Sequence, residues 1–414
     1  MYRRRLITDR LKFLVETFPV VVLSGARQVG KSTLLNHEFG AGFDYIVFDP
    51  VIDIGNARQD PELFLDHHPT PLILDEIQYA PDLLAVIKRR VDKNRKPGQY
   101  IITGSQQWGV MKSISESLAG RAVFLDLPPF SFYEINDDFS PWLDTFLKDP
   151  EAFLRAKHSR PLQKTTLYEQ LWRGFYPEAQ VIPLETVPDY YQSYIRSYIE
   201  RDVRLMADIS NLQLFNRFVA LSAALSAQEV NYSQMGREFG LSPQTARHYL
   251  DLLKASFQWF EIPAFSGNLI KRLSRKPKGY CVDTGLVCAL QAISSPQSIA
   301  SHPLLGALFE TAVVMELHKQ CSAMSTSPKL YHWRLHSGSE VDLILEKDGR
   351  YFPIEIKADS HPKRSDARGI QAFREAYPRL DIGPGIILAP TENSYPLTKN
   401  DFVLPWDLVI MEKQ

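Results

Sequence analysis

The sequence predicts an α/β protein in several units, and three observations predict it. Short apolar runs recur up to Leu125, a helix-turn-helix pattern spans Asn231 to Phe265, and two alternating runs flank Asp348-Gly349. The runs Val20-Val21-Val22-Leu23, Tyr45-Ile46-Val47-Phe48, Leu72-Ile73-Leu74, Tyr100-Ile101-Ile102 and Ala122-Val123-Phe124-Leu125 are largely β-branched or aromatic, with polar or Gly boundaries. Buried strands of a parallel sheet look like this, with crossover helices between them. After Pro128-Pro129 come aromatic-rich helical segments, including Tyr190 to Met206, and Ile293 to Pro303, rich in Ser and Pro, reads as a linker or long loop. From Leu304 a helix precedes the two alternating strands and a further helix-strand sequence. The expected units are 1–135, a helical connector 136–230, a winged helix 231–280, and 281–414.

Dividing 414 residues by about 150 per domain suggests two or three domains, and 44% hydrophobic with 23% charged residues excludes disordered and fibrous classes. A net charge of −1 argues against a protein that coats nucleic acid, leaving local basic patches open. Cys281, Cys288 and Cys321 are too scattered for a disulfide framework or a four-ligand zinc site and read as reduced core thiols. No stretch approaches the roughly 18 apolar residues of a spanning helix. The start reaches Asp9 and Lys12 before any signal-peptide core forms. A cytoplasmic chain without a membrane is therefore expected.

Gly25, Ala26, Arg27, Gln28, Val29, Gly30, Lys31 and Ser32 fit G-x-x-x-x-G-K-[ST] between a strand and the helix opening at Thr33. The glycines let the backbone wrap a phosphate and the helix N-terminus aims its amides at it. Lys31 reaches the outer phosphates and Ser32 the Mg²⁺. Leu72-Ile73-Leu74 ends in Asp75 and Glu76, expected to hold Mg²⁺ and to polarise the attacking water, respectively. The strand from Tyr100 ends in Thr103-Gly104-Ser105, which puts Ser105 forward as a polar sensor of the terminal phosphate. The extra strand Tyr45 to Phe48, the Glu and the sensor resemble the AAA-type ATPases, which implies adenine as the base. Arg121, after Ser117-Leu118-Ala119-Gly120, is a candidate for stabilising transition-state charge within one subunit or across an interface.

Ser242-Pro243 reads as an N-cap followed by Pro at the first helical position. Ala246, Tyr249, Leu250 and Leu253 form one buried stripe. Gln244, Thr245, Arg247 and His248 then face outward, where a recognition helix meets the major groove. Phe257 to Phe265 reads as a wing, and Lys271-Arg272-Leu273-Ser274-Arg275-Lys276-Pro277-Lys278 as a cationic loop for phosphates. Double-stranded DNA is one expected partner. Winged helices in ATPases of this type also dock proteins.

Asp348-Gly349 is the strongest two-residue hairpin signal. It sets Lys347 opposite Arg350 and hence Asp342 opposite Glu355 and Glu340 opposite Lys357, with Val341–Ile356, Leu343–Ile354 and Leu345–Phe352 on the other face. Facing carboxylates need neutralising, and a divalent cation does so. Glu310 sits on the helical stripe Gly306, Glu310, Val313, Leu317, where a carboxylate is costly unless paired or metal-bound. Glu310, Asp342 and Glu355 are the expected ligands of Mg²⁺ or Mn²⁺, with Lys357 positioning the attacking water or the phosphate. This constellation is that of the PD-(D/E)XK nucleases, a restriction-endonuclease-like α/β domain.

The whole order resembles the bacterial and archaeal AAA-type ATPases whose C-terminal region is a nuclease-like domain of unknown function. The resemblance rests on these motifs and on Ser115 to Arg121, Arg201-Asp202-Val203 and Lys278-Gly279-Tyr280-Cys281-Val282-Asp283-Thr284-Gly285-Leu286. It implies that Lys31, Ser32, Asp75 and Glu76 carry ATP hydrolysis, and leaves Arg201 and Arg204 as open candidates for a second sensor. One departure is Arg173-Gly174-Phe175-Tyr176-Pro177-Glu178, where relatives often have Gly-Gly. The expected function is a Mg²⁺-dependent, DNA-associated ATPase with a nuclease-like C-terminal domain. The alternatives are a nucleotide-dependent DNA-binding regulator or a protein-interaction switch with that domain silent, acting alone or as a homo-oligomer.

Overall fold

The structure is a computed structural model that describes all residues except 1, 105–117, 138–140, 157, 159–165, 200–210, 269–271, 273–274, 336 and 409–414. Strands β1 (Val20–Ser24), β2 (Asp44–Val47), β3 (Leu72–Asp75), β4 (Tyr100–Gly104) and β5 (Ala122–Asp126) form a parallel sheet ordered β2-β3-β4-β1-β5. The central strands β1, β3 and β4 are buried throughout, and the edges β2 and β5 are not. Alternation decides the layers: Val21, Leu23 and Ile101 join one core with Leu34 and Leu35, while Val20, Val22 and Ile102 join another with Phe64, Leu83 and Ile87. Each such buried aliphatic contributes about 1.5–3 kcal/mol. Because all five strands run the same way, the loops after β1, β3 and β4 converge at one sheet edge.

The helices Tyr232–Arg237 and Pro243–Ala255 pack against a three-stranded antiparallel sheet, β6 (Gln228–Glu229), β7 (Trp259–Ile262) and β8 (Lys278–Cys281), ordered β6-β8-β7. The Ser242 hydroxyl accepts the Thr245 N–H at 3.1 Å. Ala246, Tyr249, Leu250 and Leu253 are buried, Gln244, Arg247 and His248 exposed, and Thr245 half-buried.

The C-terminal unit is a seven-stranded mixed sheet. Its strands are β9 (Lys329–Arg334), β10 (Glu340–Lys347), β11 (Arg350–Ile356), β12 (Asp381–Ile382), β13 (Gly385–Ala389), β14 (Tyr395–Pro396) and β15 (Asp401–Pro405), in the order β14-β15-β13-β11-β10-β9 with β12 beside β11. The helix Leu305–Ala323 covers one face through Leu308 and Val313, and the helix Arg368–Ala376 the other through Ile370 and Phe373. Lys347 faces Arg350, Leu345 faces Phe352 and Leu343 faces Ile354, the expected register. Asp348 (φ 52°) and Gly349 (φ 82°) both take the left-handed turn conformation. The ladder then stops. A bulge between Val341 and Ile344 against β9 breaks the alternation, and Asp342 Oδ2 accepts the Ile356 N–H at 3.0 Å. The expected pairs Asp342–Glu355, Glu340–Lys357 and Val341–Ile356 are therefore not ladder pairs.

The units share buried bonds. Glu316 Oε2 accepts the Phe132 N–H at 2.7 Å, Lys319 Nζ donates to the Phe130 carbonyl at 2.8 Å, and one apolar core runs from β1 to the helix Leu305–Ala323. Among the described residues no helix is long and apolar enough to cross a membrane, and Cys281, Cys288 and Cys321 are buried and free.

Candidate functional site

The loop after β1 turns through Gly25 (φ 148°) and Gly30 (φ 93°) before the helix Lys31–Phe39. A side chain at Gly25 would strike the Leu127 carbonyl oxygen, 2.3 Å from an added Cβ. Lys31 Nζ lies across the loop and donates to the carbonyls of Gly25 and Ala26 at 2.8 and 3.0 Å. Ser32 Oγ donates to Asp75 Oδ2 at 2.7 Å, and the Tyr45 and Thr103 hydroxyls also donate to the Asp75 carboxylate. Glu76 sits in the left-handed region (φ 58°), its N–H donating to Thr103 Oγ1 at 3.2 Å and its carboxylate accepting from Gln78. A hydroxyl and a carboxylate side by side, next to a glycine-containing loop that runs into a helix N-terminus, are the donor chemistry of a Mg²⁺–triphosphate site. Thr103 takes the polar position at the end of β4. Ser105, Arg201 and Arg204 lie outside the described residues.

A cavity of about 580 Å³ opens over Gln28, Lys31, Ser32 and Glu76, with Glu178 and Tyr190 on its far wall. It continues, past Gly30 and Thr33, into a smaller one of about 220 Å³ lined by Tyr2, Val29, Leu34, Phe130 and Val181. A polar cleft joined to an apolar slot suits a nucleoside phosphate. The sequence reading missed this wall and also Arg5. The Arg5 guanidinium is buried 3.1 Å from Glu134 and donates to the carbonyls of Val29 and Pro128, bracing the loop from behind. An arginine near an N-terminus carries no signal of such a partner.

The wall itself hangs on Asp283. Its carboxylate accepts the Phe175 N–H at 2.5 Å and the Leu286 N–H at 2.8 Å, with the Tyr191 hydroxyl at 2.7 Å. An added Cβ at Gly174 (φ 71°) would lie 2.3 Å from that hydroxyl. Arg173, the departure from Gly-Gly, donates inward to the carbonyls of Ala179 and Ile182. Asp283→Ala leaves the buried Phe175 and Leu286 N–H groups without this acceptor, while the Tyr191 hydroxyl keeps the Arg173 carbonyl at 2.9 Å, and is expected to cost about 2–5 kcal/mol, read as a lower urea midpoint. A loss under about 1 kcal/mol would mean the loop is held elsewhere.

Arg121 does not join this site within one chain. It precedes β5, whose first residue Ala122 aligns with Val20, so it lies at the other end of the sheet, on the order of 15 Å away. There its guanidinium pairs with Asp92 at 2.5 Å. The cationic loop is also corrected in part. Arg272 stacks on Phe265 and Tyr331, Arg275 is half-buried, and only Lys276 is exposed among the described members.

Lys278 is buried at the C-terminal centre, Nζ 2.5 Å from Glu310 and 3.1 Å from Asp342. Lys357 Nζ lies 2.6 Å from Glu355 and 3.7 Å from Asp342, and Tyr280 donates to Glu310 at 2.8 Å. The order of charge is thus Glu310, Lys278, Asp342, Lys357, Glu355. Among the described residues no group of three or more His, Cys, Asp or Glu forms a metal-ligand set. The expected ligation by Glu310, Asp342 and Glu355, with Lys357 facing a substrate, does not fit this arrangement, because Lys278 stands between Glu310 and Asp342 and Lys357 between Asp342 and Glu355, where a shared cation would sit.

Burial, then the Asp342 carboxylate, push Glu310 up to about 7. Burial and Asp342 also push Glu355 well above the ordinary carboxylate range, while Asp342, despite its burial, is held low by Lys278 and Lys357. Folded Glu310 therefore keeps a proton that the unfolded chain releases above its ordinary value. Stability from this group is present at low pH and lost as pH rises through about 7. Glu310→Gln should make the slope of unfolding free energy between about pH 5 and 7 less negative by up to about 1.4 kcal/mol per pH unit. Parallel curves from denaturation at three pH values would remove the assignment.

A family model described as an AAA domain matches residues 17–136, and models described as domains of unknown function, DUF8612 and DUF4143, match 164–297 and 305–409. Uncharacterized proteins of Mycobacterium bovis and Mycobacterium tuberculosis are 27% identical over 413 residues, covering 99% of this chain and 85% of each relative. The Walker-type ATPase of Pyrococcus abyssi is similar with a TM-score of 0.43 and 15% identity, over 70% of this chain and 96% of that one. The Thermotoga maritima RuvB Holliday junction branch migration motor gives 0.30 and 14%, over 65% and 92%.

Proposed function

We propose that the N-terminal unit, an AAA-type P-loop ATPase fold, binds and hydrolyses ATP with Mg²⁺, and that the helix-turn-helix carries the outcome to double-stranded DNA. The observation that supports it most is the convergence of Lys31, Ser32, Asp75, Glu76 and Thr103. Loop amides and Lys31 orient the triphosphate. Ser32 and Asp75 would hold Mg²⁺, which when bound neutralises phosphate charge. Thr103 fixes the Asp75 carboxylate, and Glu76 takes the proton of the water that attacks the terminal phosphorus as its bond to the ADP oxygen breaks. Phosphate release should require Mg²⁺ and stop in EDTA. An undiminished rate in EDTA would sink the reading.

Exposed Gln244, Arg247 and His248 supply the DNA-facing side chains. Arg247→Ala should weaken binding to a labelled duplex about tenfold or more by anisotropy. The internal use of Arg272 and Lys278 favours a second reading, docking of a protein partner on the same helix. No duplex binding at physiological salt would select it. A role for Arg121 at a neighbouring subunit's nucleotide requires a homo-oligomer. The C-terminal unit, as built, is proposed to be silent as a nuclease and to act in the cytoplasm with the rest of the chain.

A further inference from the structure

We propose that Lys278 is a built-in plug of the C-terminal acidic centre: a cation supplied by the chain occupies the place that a divalent metal would need, and keeps the centre metal-free. The carboxylates come from the helix Leu305–Ala323 and from β10 and β11, whereas Lys278 comes from β8 of the helix-turn-helix unit. One ammonium touches Glu310 and Asp342 together, at 2.5 and 3.1 Å, and is itself buried. Tyr280, two residues on in the same strand, donates to Glu310 at 2.8 Å. β8 therefore delivers both a charge and a hydrogen bond to the centre, which a strand packed for shape alone does not do. The ammonium stands where a cation shared by Glu310 and Asp342 would have to sit, and it cuts the charge that would attract one from −2 to −1.

The plug is also tied to the rest of the molecule. Asp283, just beyond β8, holds the Gly174–Phe175 loop that continues into the cleft wall at Glu178. Lys278 is carried on β8, and Asp283, two residues beyond that strand, is bonded to the loop. Withdrawing the ammonium leaves Glu310 and Asp342 as two carboxylates close enough to share one ion, enough for a Mg²⁺ or Mn²⁺ that keeps several waters.

The test is Mn²⁺ titration of the full chain without nucleotide, read by loss of the free-ion electron spin resonance signal. It compares wild type, Lys278→Met, Lys278→Arg and Lys278→Met/Asp342→Asn. Wild type and Lys278→Arg should show no saturable site that depends on Asp342, as judged against Asp342→Asn. Lys278→Met should gain one, at least tenfold tighter than any Mn²⁺ binding by wild type, and the double variant should lose it. If Lys278→Met folds poorly, Mn²⁺ should raise its melting temperature by more than it raises that of wild type or of the double variant. An Asp342-dependent Mn²⁺ site in wild type overturns the proposal. So does a Lys278→Met chain whose Mn²⁺ affinity and Mn²⁺-dependent melting match those of wild type.

Discussion

Lys31→Ala is expected to lower ATP turnover on the order of 10³-fold, with the melting temperature close to wild type. The ammonium is buried at the first turn of the helix Lys31–Phe39, directly after Gly30. A charge there acts in a low local dielectric on phosphate oxygens that gain negative charge as the terminal group departs, and water entering the truncated site replaces it poorly. The bonds lost within the protein go to the carbonyls of Gly25 and Ala26, which can face solvent instead, so the fold should survive. Coupled phosphate release checks the rate and circular dichroism the fold. Normal turnover in a folded variant would place hydrolysis at another site.

Much of the fold is legible in the sequence because its signals are local. Five apolar runs become five parallel strands, Ser242-Pro243 starts its helix, and Asp348-Gly349 sets the hairpin register down to Leu343. The reading fails where a partner lies far along the chain. The charge conflict of Glu310, Asp342 and Glu355 is visible in the sequence, and so is the need to neutralise it. Lys278 meets Asp342 across a separation of 64 residues, however, and in sequence looks like the last member of an exposed cationic run. Arg5 fails the same way, since its Val29 and Pro128 carbonyls and Glu134 give no pattern. Arg121 fails by direction: the motif gives its neighbourhood, and only the parallel register puts it at the far end of the sheet. Thr103 is legible as a polar residue ending a strand, but the bonds that tie it to both Asp75 and Glu76 depend on β4 lying beside β3.

Glu76→Gln is expected to reduce turnover by about 10²- to 10⁴-fold while ATP affinity changes less than threefold. The residue occupies a left-handed conformation that costs an L side chain about 1–2 kcal/mol. The Thr103 bond to its N–H and the Gln78 bond to its carboxylate hold it there. Strain held in place by the surroundings is what a side chain aimed at a reacting atom requires. Gln keeps the shape and the bonding at Gln78, so binding and backbone geometry should persist. It has no basic oxygen to take the proton of the attacking water, so the loss should fall on the turnover number and not on the Michaelis constant. Single-turnover hydrolysis alongside equilibrium binding of a fluorescent ATP analogue separates the two. Equal losses in affinity and rate would make Glu76 a binding residue, and a wild-type rate would pass the base role to another group around the cleft, where Glu178 is, among the described residues, the other carboxylate lining it.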